Sequence, residues 1–97
     1  MITRIVRMEF KEDAITSFLS AFHAAENQIR NFEGCYSLQL MCDADNSCLY
    51  STISVWENKE ALEKYRNSAL FFNTWEAAKK GFSKKPVAFS LEGDIRK

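Results

Sequence analysis

The chain has 97 residues, 46% of them hydrophobic and 13% aromatic, and its 13 Lys and Arg balance 13 Asp and Glu. That length fits one domain, residues 1–97, which buries only about 60 to 65% of its unfolded surface, so a partner that adds burial would add stability. Zero net charge gives no basic field for a phosphate backbone, and no apolar run approaches the roughly 20 residues of a membrane span. The amino end, Met1-Ile2-Thr3-Arg4-Ile5-Val6-Arg7, also lacks a signal peptide's uninterrupted apolar stretch. Nucleic acid and membrane are set aside as partners, and the expected location is the cytoplasm.

In chain order, Ile2 to Phe10 is rich in β-branched and apolar residues, with Ile2, Val6 and Met8 on one face and Ile5 on the other, as in a strand. From Glu12 to Phe32, Ile15, Phe18, Leu19, Phe22 and Ile29 recur at helical spacing, with Asp13 as an early cap or first-turn anion. One long amphipathic helix is expected there, stopping at Gly34, where the chain must reverse. Cys35 to Cys42 and Cys48 to Trp56 read as a β-hairpin around the turn Asp43-Ala44-Asp45-Asn46-Ser47.

Asn58 can cap a helix whose face carries Leu62, Tyr65 and Ala69, with Glu60 and Lys64 as an i,i+4 pair. Ser68 can cap a second piece carrying Phe71, Trp75, Ala78 and Phe82, and two short helices or one bent one fit equally. After Gly81, the lone proline Pro86 opens a last strand in which Val87, Phe89 and Leu91 alternate with Ala88 and Ser90, followed by a charged tail. The order β-α-β-β-α-β is that of an α+β, ferredoxin-like split β-α-β sandwich, a four-stranded antiparallel sheet with helices on one face. Because the third strand is apolar on both sides, the uncovered face is expected to meet another sheet, giving a homodimer.

Three cysteines, Cys35, Cys42 and Cys48, with no C-x-x-C, suit reduced thiols rather than a metal site. Cys42 and Cys48 flank the turn and would lie opposite each other on the hairpin. Asp43 and Asp45 are read as turn residues, and no metal is expected. His23, the only histidine, sits beside the apolar stripe rather than in it, which favours solvent over a catalytic position.

The run Val55-Trp56-Glu57-Asn58-Lys59-Glu60-Ala61-Leu62-Glu63-Lys64-Tyr65-Arg66-Asn67-Ser68, after Phe32-Glu33-Gly34-Cys35 and before Phe71, Trp75 and Pro86, resembles the antibiotic biosynthesis monooxygenase family of dimeric α/β barrels. The marks are the Trp-Glu pair leaving the third strand, the Glu-Ala-Leu-x-x-Tyr helix, the Ser one turn later and the Glu-Gly turn. The resemblance implies a pocket in each subunit and, in the family's enzymes, oxidation of phenols or hydroquinones by O2 without metal, flavin or other cofactor. Two departures stand out. Trp75 occupies the place where haem-degrading relatives keep an iron-ligating histidine, which speaks against haem, and Leu70 stands near a histidine of some quinol-oxidising relatives.

Such chemistry needs apolar walls, exclusion of water and a group that favours the electron-donating anion of the substrate. Trp56, Tyr65, Phe71, Phe72, Trp75 and Tyr50 are the candidate walls of a substrate site, and Trp56, Tyr65, Thr52 and Arg4 the candidates for catalysis. Tyr50, Tyr65 and Thr52 offer hydroxyls to orient a small aromatic ligand. Arg4 shares a strand face with Val6 and Met8, opposite Arg7, and suits either an anionic substrate or a salt bridge at the dimer seam. The rival reading is a non-catalytic or stress-associated dimer of the same fold that sequesters a small ligand.

Overall fold

Strand alternation and two capped helix starts set the layers of the computed structural model, which describes residues 1–93. The elements are β1 Ile2–Glu9, α1 Ile15–Arg30, β2 Cys35–Cys42, β3 Leu49–Trp56, α2 Lys59–Arg66, α3 Ala69–Lys79 and β4 Val87–Glu92, with a 3-10 turn at Glu12–Ala14 before α1. The four strands form one antiparallel sheet in the order β2-β3-β1-β4. This is the ferredoxin-like α+β arrangement, with the second crossover divided between α2 and α3. The charged tail expected after the last strand falls at residues 94–97, outside the described residues.

Residues directly opposite across the sheet share a face. On the inner face β1 presents Ile2, Arg4, Val6 and Met8, β3 presents Tyr50, Thr52, Ser54 and Trp56, and β4 presents Ala88 and Ser90. Helix α1 lays Phe18, Phe22, Ala25 and Ile29 on this face, forming the core with Met8, Phe10, Leu38 and Ala78. A second buried cluster joins Ile2, Trp56 and Leu62, against which Phe32, Ala61 and Tyr65 pack. The outer face carries Ile5 between Ile53 and Phe89, and Thr3 between Val55 and Leu91.

Several local expectations are corrected. The long first helix begins as a 3-10 turn, because neither Lys11 nor Ala14 supplies a side-chain cap, and Asp13 lies within that turn. It ends at Arg30 rather than at Phe32, where Asn31 turns both its backbone N–H and its side-chain amide onto the carbonyl of Asn27. Gly34 instead makes the turn into β2 at φ +84°, beside Ala61. Two helices, not one bent helix, follow β3. Asn58 Oδ1 accepts from the Ala61 N–H at 2.8 Å, while Ser68 Oγ accepts from the Phe71 N–H at 3.1 Å and donates to the Tyr65 carbonyl at 2.6 Å. One serine thus closes α2 and opens α3.

Lys64 reaches Glu33 Oε1 at 2.7 Å, a partner on the preceding turn, instead of Glu60. Phe82 lies beyond α3 and bridges to Phe10 in a short antiparallel contact. Cys42 pairs across the hairpin with Tyr50 rather than with Cys48, since the expected strand start at Cys48 shifts to Leu49; all three thiols are free. No helix among the described residues is long and apolar enough to cross a membrane.

Candidate functional site

Short side chains on the inner sheet face create a cavity beneath the helices. Between Tyr50 and Trp56, β3 places only Thr52 and Ser54, and on the edge strand Ala88 stands beside Val6. The helices span this low ground on bulkier residues, and a space of about 290 Å³ remains between the layers. Val6, Met8 and Leu38 line it from the sheet, Phe18, Phe22 and Ile29 from α1, and Leu62, Phe71, Trp75 and Ala78 from the second helical pair. The volume sits at the lower end of the roughly 300 to 1,000 Å³ range of small-molecule pockets.

An aromatic series runs along one side. Tyr65 stacks on Trp56 with ring centroids 4.8 Å apart, Phe71 meets Tyr65 edge-on at 5.3 Å, and Phe71 lies nearly parallel to Trp75 at 5.8 Å. Trp56 is wholly buried and closes one end of the cavity. Its indole Nε1–H donates to Ser54 Oγ at 2.9 Å, so the one polar atom of the ring is satisfied inside the core. That bond fixes the tryptophan against the strand that carries it.

The polar groups in the lining are Arg4, Thr52, Ser54, Tyr65, Arg66 and Thr74. Burial pushes the Tyr65 phenol up to about 12, with the neighbouring Thr74 hydroxyl opposing the shift and Cys35 reinforcing it. At neutral pH Tyr65 is therefore an un-ionised hydrogen-bond donor and not a base. Thr74 Oγ1 also lies 3.0 Å from the carbonyls of Leu70 and Phe71, its ordinary intrahelical partners. Arg4 Nη1 donates to Ser90 Oγ at 3.1 Å. Burial lowers the Arg4 pKa from its ordinary value, as does the neighbouring charge of Arg66, while Glu63 opposes them.

Six of the residues singled out from sequence meet in this cavity: Arg4, Thr52, Trp56, Tyr65, Phe71 and Trp75. Tyr50 does not join them; its ring packs into the core beside Phe10 and Phe18, at 6.1 and 5.8 Å, because the helix covers that end of β3. Phe72 is likewise outside, 62% exposed, since the position after Phe71 on α3 turns away from the sheet. His23 stands on the outer side of α1, with Nδ1 3.2 Å from Glu26 Oε1. Ser54, Arg66 and Thr74 were missed. The period-two spacing of Ser54 from Trp56 on an inward face was a signal for the first; Arg66 and Thr74 sit on helices whose rotation only packing fixes. Among the described residues, no three His, Cys, Asp or Glu side chains come together in a set that could hold a metal.

The family described as antibiotic biosynthesis monooxygenase matches residues 1–77 of the chain. Among solved structures, one described as an antibiotic biosynthesis monooxygenase superposes with a TM-score of 0.90 at 16% identity, covering 97% of this chain and 99% of that one. The protein Rv0793 from Mycobacterium tuberculosis gives 0.89 at 20% identity, over 99% and 98% of the two chains. A conserved protein from Methanosarcina mazei Go1 gives 0.90 at 14%, over 97% and 94%. At such identities these likenesses show the shared fold. No curated protein matches the sequence.

Proposed function

The chain belongs to the antibiotic biosynthesis monooxygenase family, and from that premise we propose that it oxidises a small phenol or hydroquinone with O2 inside the cavity, without a cofactor. The observation that carries the reading is the largely apolar cavity walled by Tyr65, Phe71 and Trp75, with a few hydroxyl side chains in its lining. Conversion of a phenol and O2 to a quinone and water, or of a hydroquinone and O2 to a hydroxyquinone and water, balances on four electrons from the ring, so no outside reductant is needed. The protein's tasks are then to bind a flat ring against aromatic walls, keep water away and hold the oxygen substituent. Tyr65 donates a hydrogen bond to that oxygen, and Thr52 orients it.

In this reading residues 1–97 act as one domain in the cytoplasm, and two copies pair through the outer sheet face. Supporting the pairing, Val87 and Leu91 on that face are each more than half exposed, and Phe89 lies beside Ile5 and Ile53. A second reading, a dimer that binds a ligand without oxidising it, is favoured by one observation: among the described residues, no carboxylate or imidazole lines the cavity. Oxygen uptake by the purified protein with a panel of hydroquinones and polycyclic phenols separates the two. Turnover that falls at least roughly tenfold in Tyr65→Phe and Trp75→Leu supports oxidation at this site. Binding without uptake establishes the second reading.

A further inference from the structure

Among the described residues, three ionisable side chains line the cavity: Arg4 from β1, and Tyr65 and Arg66 from the end of α2. Tyr65 is neutral, guanidinium groups have no lone pair to accept a proton, and the remaining polar groups are hydroxyls. Among the described residues, the lining therefore holds no group able to take a proton from a ligand near neutral pH. It does hold two cations, and they are close enough for each other's charge to be felt. Glu63 meets Arg66 at 3.5 Å, with both side chains well exposed. Two guanidiniums and one carboxylate leave one positive charge at this end of the cavity.

Arg4 is the informative member. Its partner among the described residues is the Ser90 hydroxyl on the neighbouring strand, which satisfies one donor and neutralises no charge. A partly buried cation beside a second cation costs stability unless an anion joins it. A purely structural arginine would be expected to meet a carboxylate here, and among the described residues none forms an ion pair with Arg4.

Resting on the reading of this cavity as a ligand pocket, we propose that its ligand is an aromatic monoanion: a flat apolar ring system bearing one acidic oxygen group, held by Arg4 and Arg66 while the rings lie against Phe71 and Trp75. The acidic group is a carboxylate, or a phenol or enol acidic enough to ionise beside two cations. Opposite charges at this range lower the pKa of an acid by about 1 to 3 units. The arginines thereby supply what the lining lacks. The anion forms without a protein base, its proton passing to water at the mouth, and in the proposed oxidation that anion is the electron-rich species.

Calorimetric titration with 2-naphthoate and with its neutral amide analogue, 2-naphthamide, tests this on the wild-type protein and on Arg4→Gln, Arg66→Gln and the double variant. Thermal melts accompany each, and Arg4→Gln should melt no lower than wild type. The expected result is binding of the acid at least roughly tenfold tighter than the amide, a preference that shrinks in either single variant and vanishes in the double, with amide affinity unchanged. Equal binding of acid and amide by the wild type, or a preference that survives in the double variant, overturns the anion reading while leaving the pocket intact. Failure of both compounds to bind overturns the pocket reading and this proposal together.

Discussion

Tyr65 lies face to face on Trp56, ring centroids 4.8 Å apart and planes inclined by 25°. The strand end and the helix that follows it are joined through this pair. Asn58 starts α2 directly after β3, and its first two turns carry Tyr65 back over the strand from which the chain has just left. Phe32 and Phe71 close on the edges of the tyrosine at 5.4 and 5.3 Å. What results is a phenol kept un-ionised by its surroundings, at the wall of a cavity whose charged members are both cations.

The alkaline limb of stability should report this burial. Tyr65 has a folded-state pKa pushed up to about 12, against about 10 in the unfolded chain. The folded form holds the proton more tightly, so the contribution is fully present below pH 10 and is lost as the pH rises towards 12. It amounts to roughly 2 to 3 kcal/mol. Urea unfolding of Tyr65→Phe should show a shallower decline between pH 9.5 and 11.5 than the wild type. Tyr50, also raised by burial, contributes equally to both proteins and drops out of the difference. Parallel declines would mean that Tyr65 ionises freely.

Gly34 and Ala61 form a second tight joint. A Cβ on Gly34 would stand 2.5 Å from the Ala61 Cβ, and its φ of +84° disfavours any other side chain. Gly34→Ala should cost about 2 to 4 kcal/mol from backbone strain and overpacking together. Adding Ala61→Gly removes the clash but not the strain. The double variant should therefore be less destabilised than the sum of the two single changes, as a thermodynamic cycle on denaturant midpoints would show. Simple additivity would place the whole cost in the backbone.

The layers of the fold were legible because they rest on periodicity. Alternation marked the strands, and the capping residues Asn58 and Ser68 marked the helix starts, but β3 is apolar on both sides and its spacing alone did not say which side faces the helices. Trp56, Thr52 and Arg4 were picked out by the family resemblance and by their chemistry, and the strand register then puts the three on one face. Phe72 and Tyr50 lie outside the cavity for different reasons. Adjacent phenylalanines on a helix point about 100° apart, and only packing decides which faces inward. Tyr50 shares the correct strand face, but which stretch of that face is roofed by helix core and which is left hollow depends on where α1 and α3 settle. Arg66 reads as a surface helix cation until β1 brings Arg4 beside it.

The outer sheet face carries a prediction on assembly. Phe89→Glu with Leu91→Glu places charges beside Ile5 and Thr3, on the face opposite the cavity. Sedimentation equilibrium at micromolar concentration should find the wild type as two chains and the variant as one, with lower thermal stability in the variant because a small domain loses the burial its partner supplied. A wild type that sediments as a single chain would remove the sheet face as the dimer interface.

Attack of O2 on an aromatic substrate inside this cavity is tested most directly by the fate of isotope-labelled oxygen. The purified protein, stripped of metal by chelation, is given the best substrate from the hydroquinone and phenol panel under labelled O2 in unlabelled water. One labelled oxygen atom is expected in each quinone product, with loss of that product in Tyr65→Phe. Product oxygen drawn from water, or labelled product that forms equally fast with the variant, would contradict it.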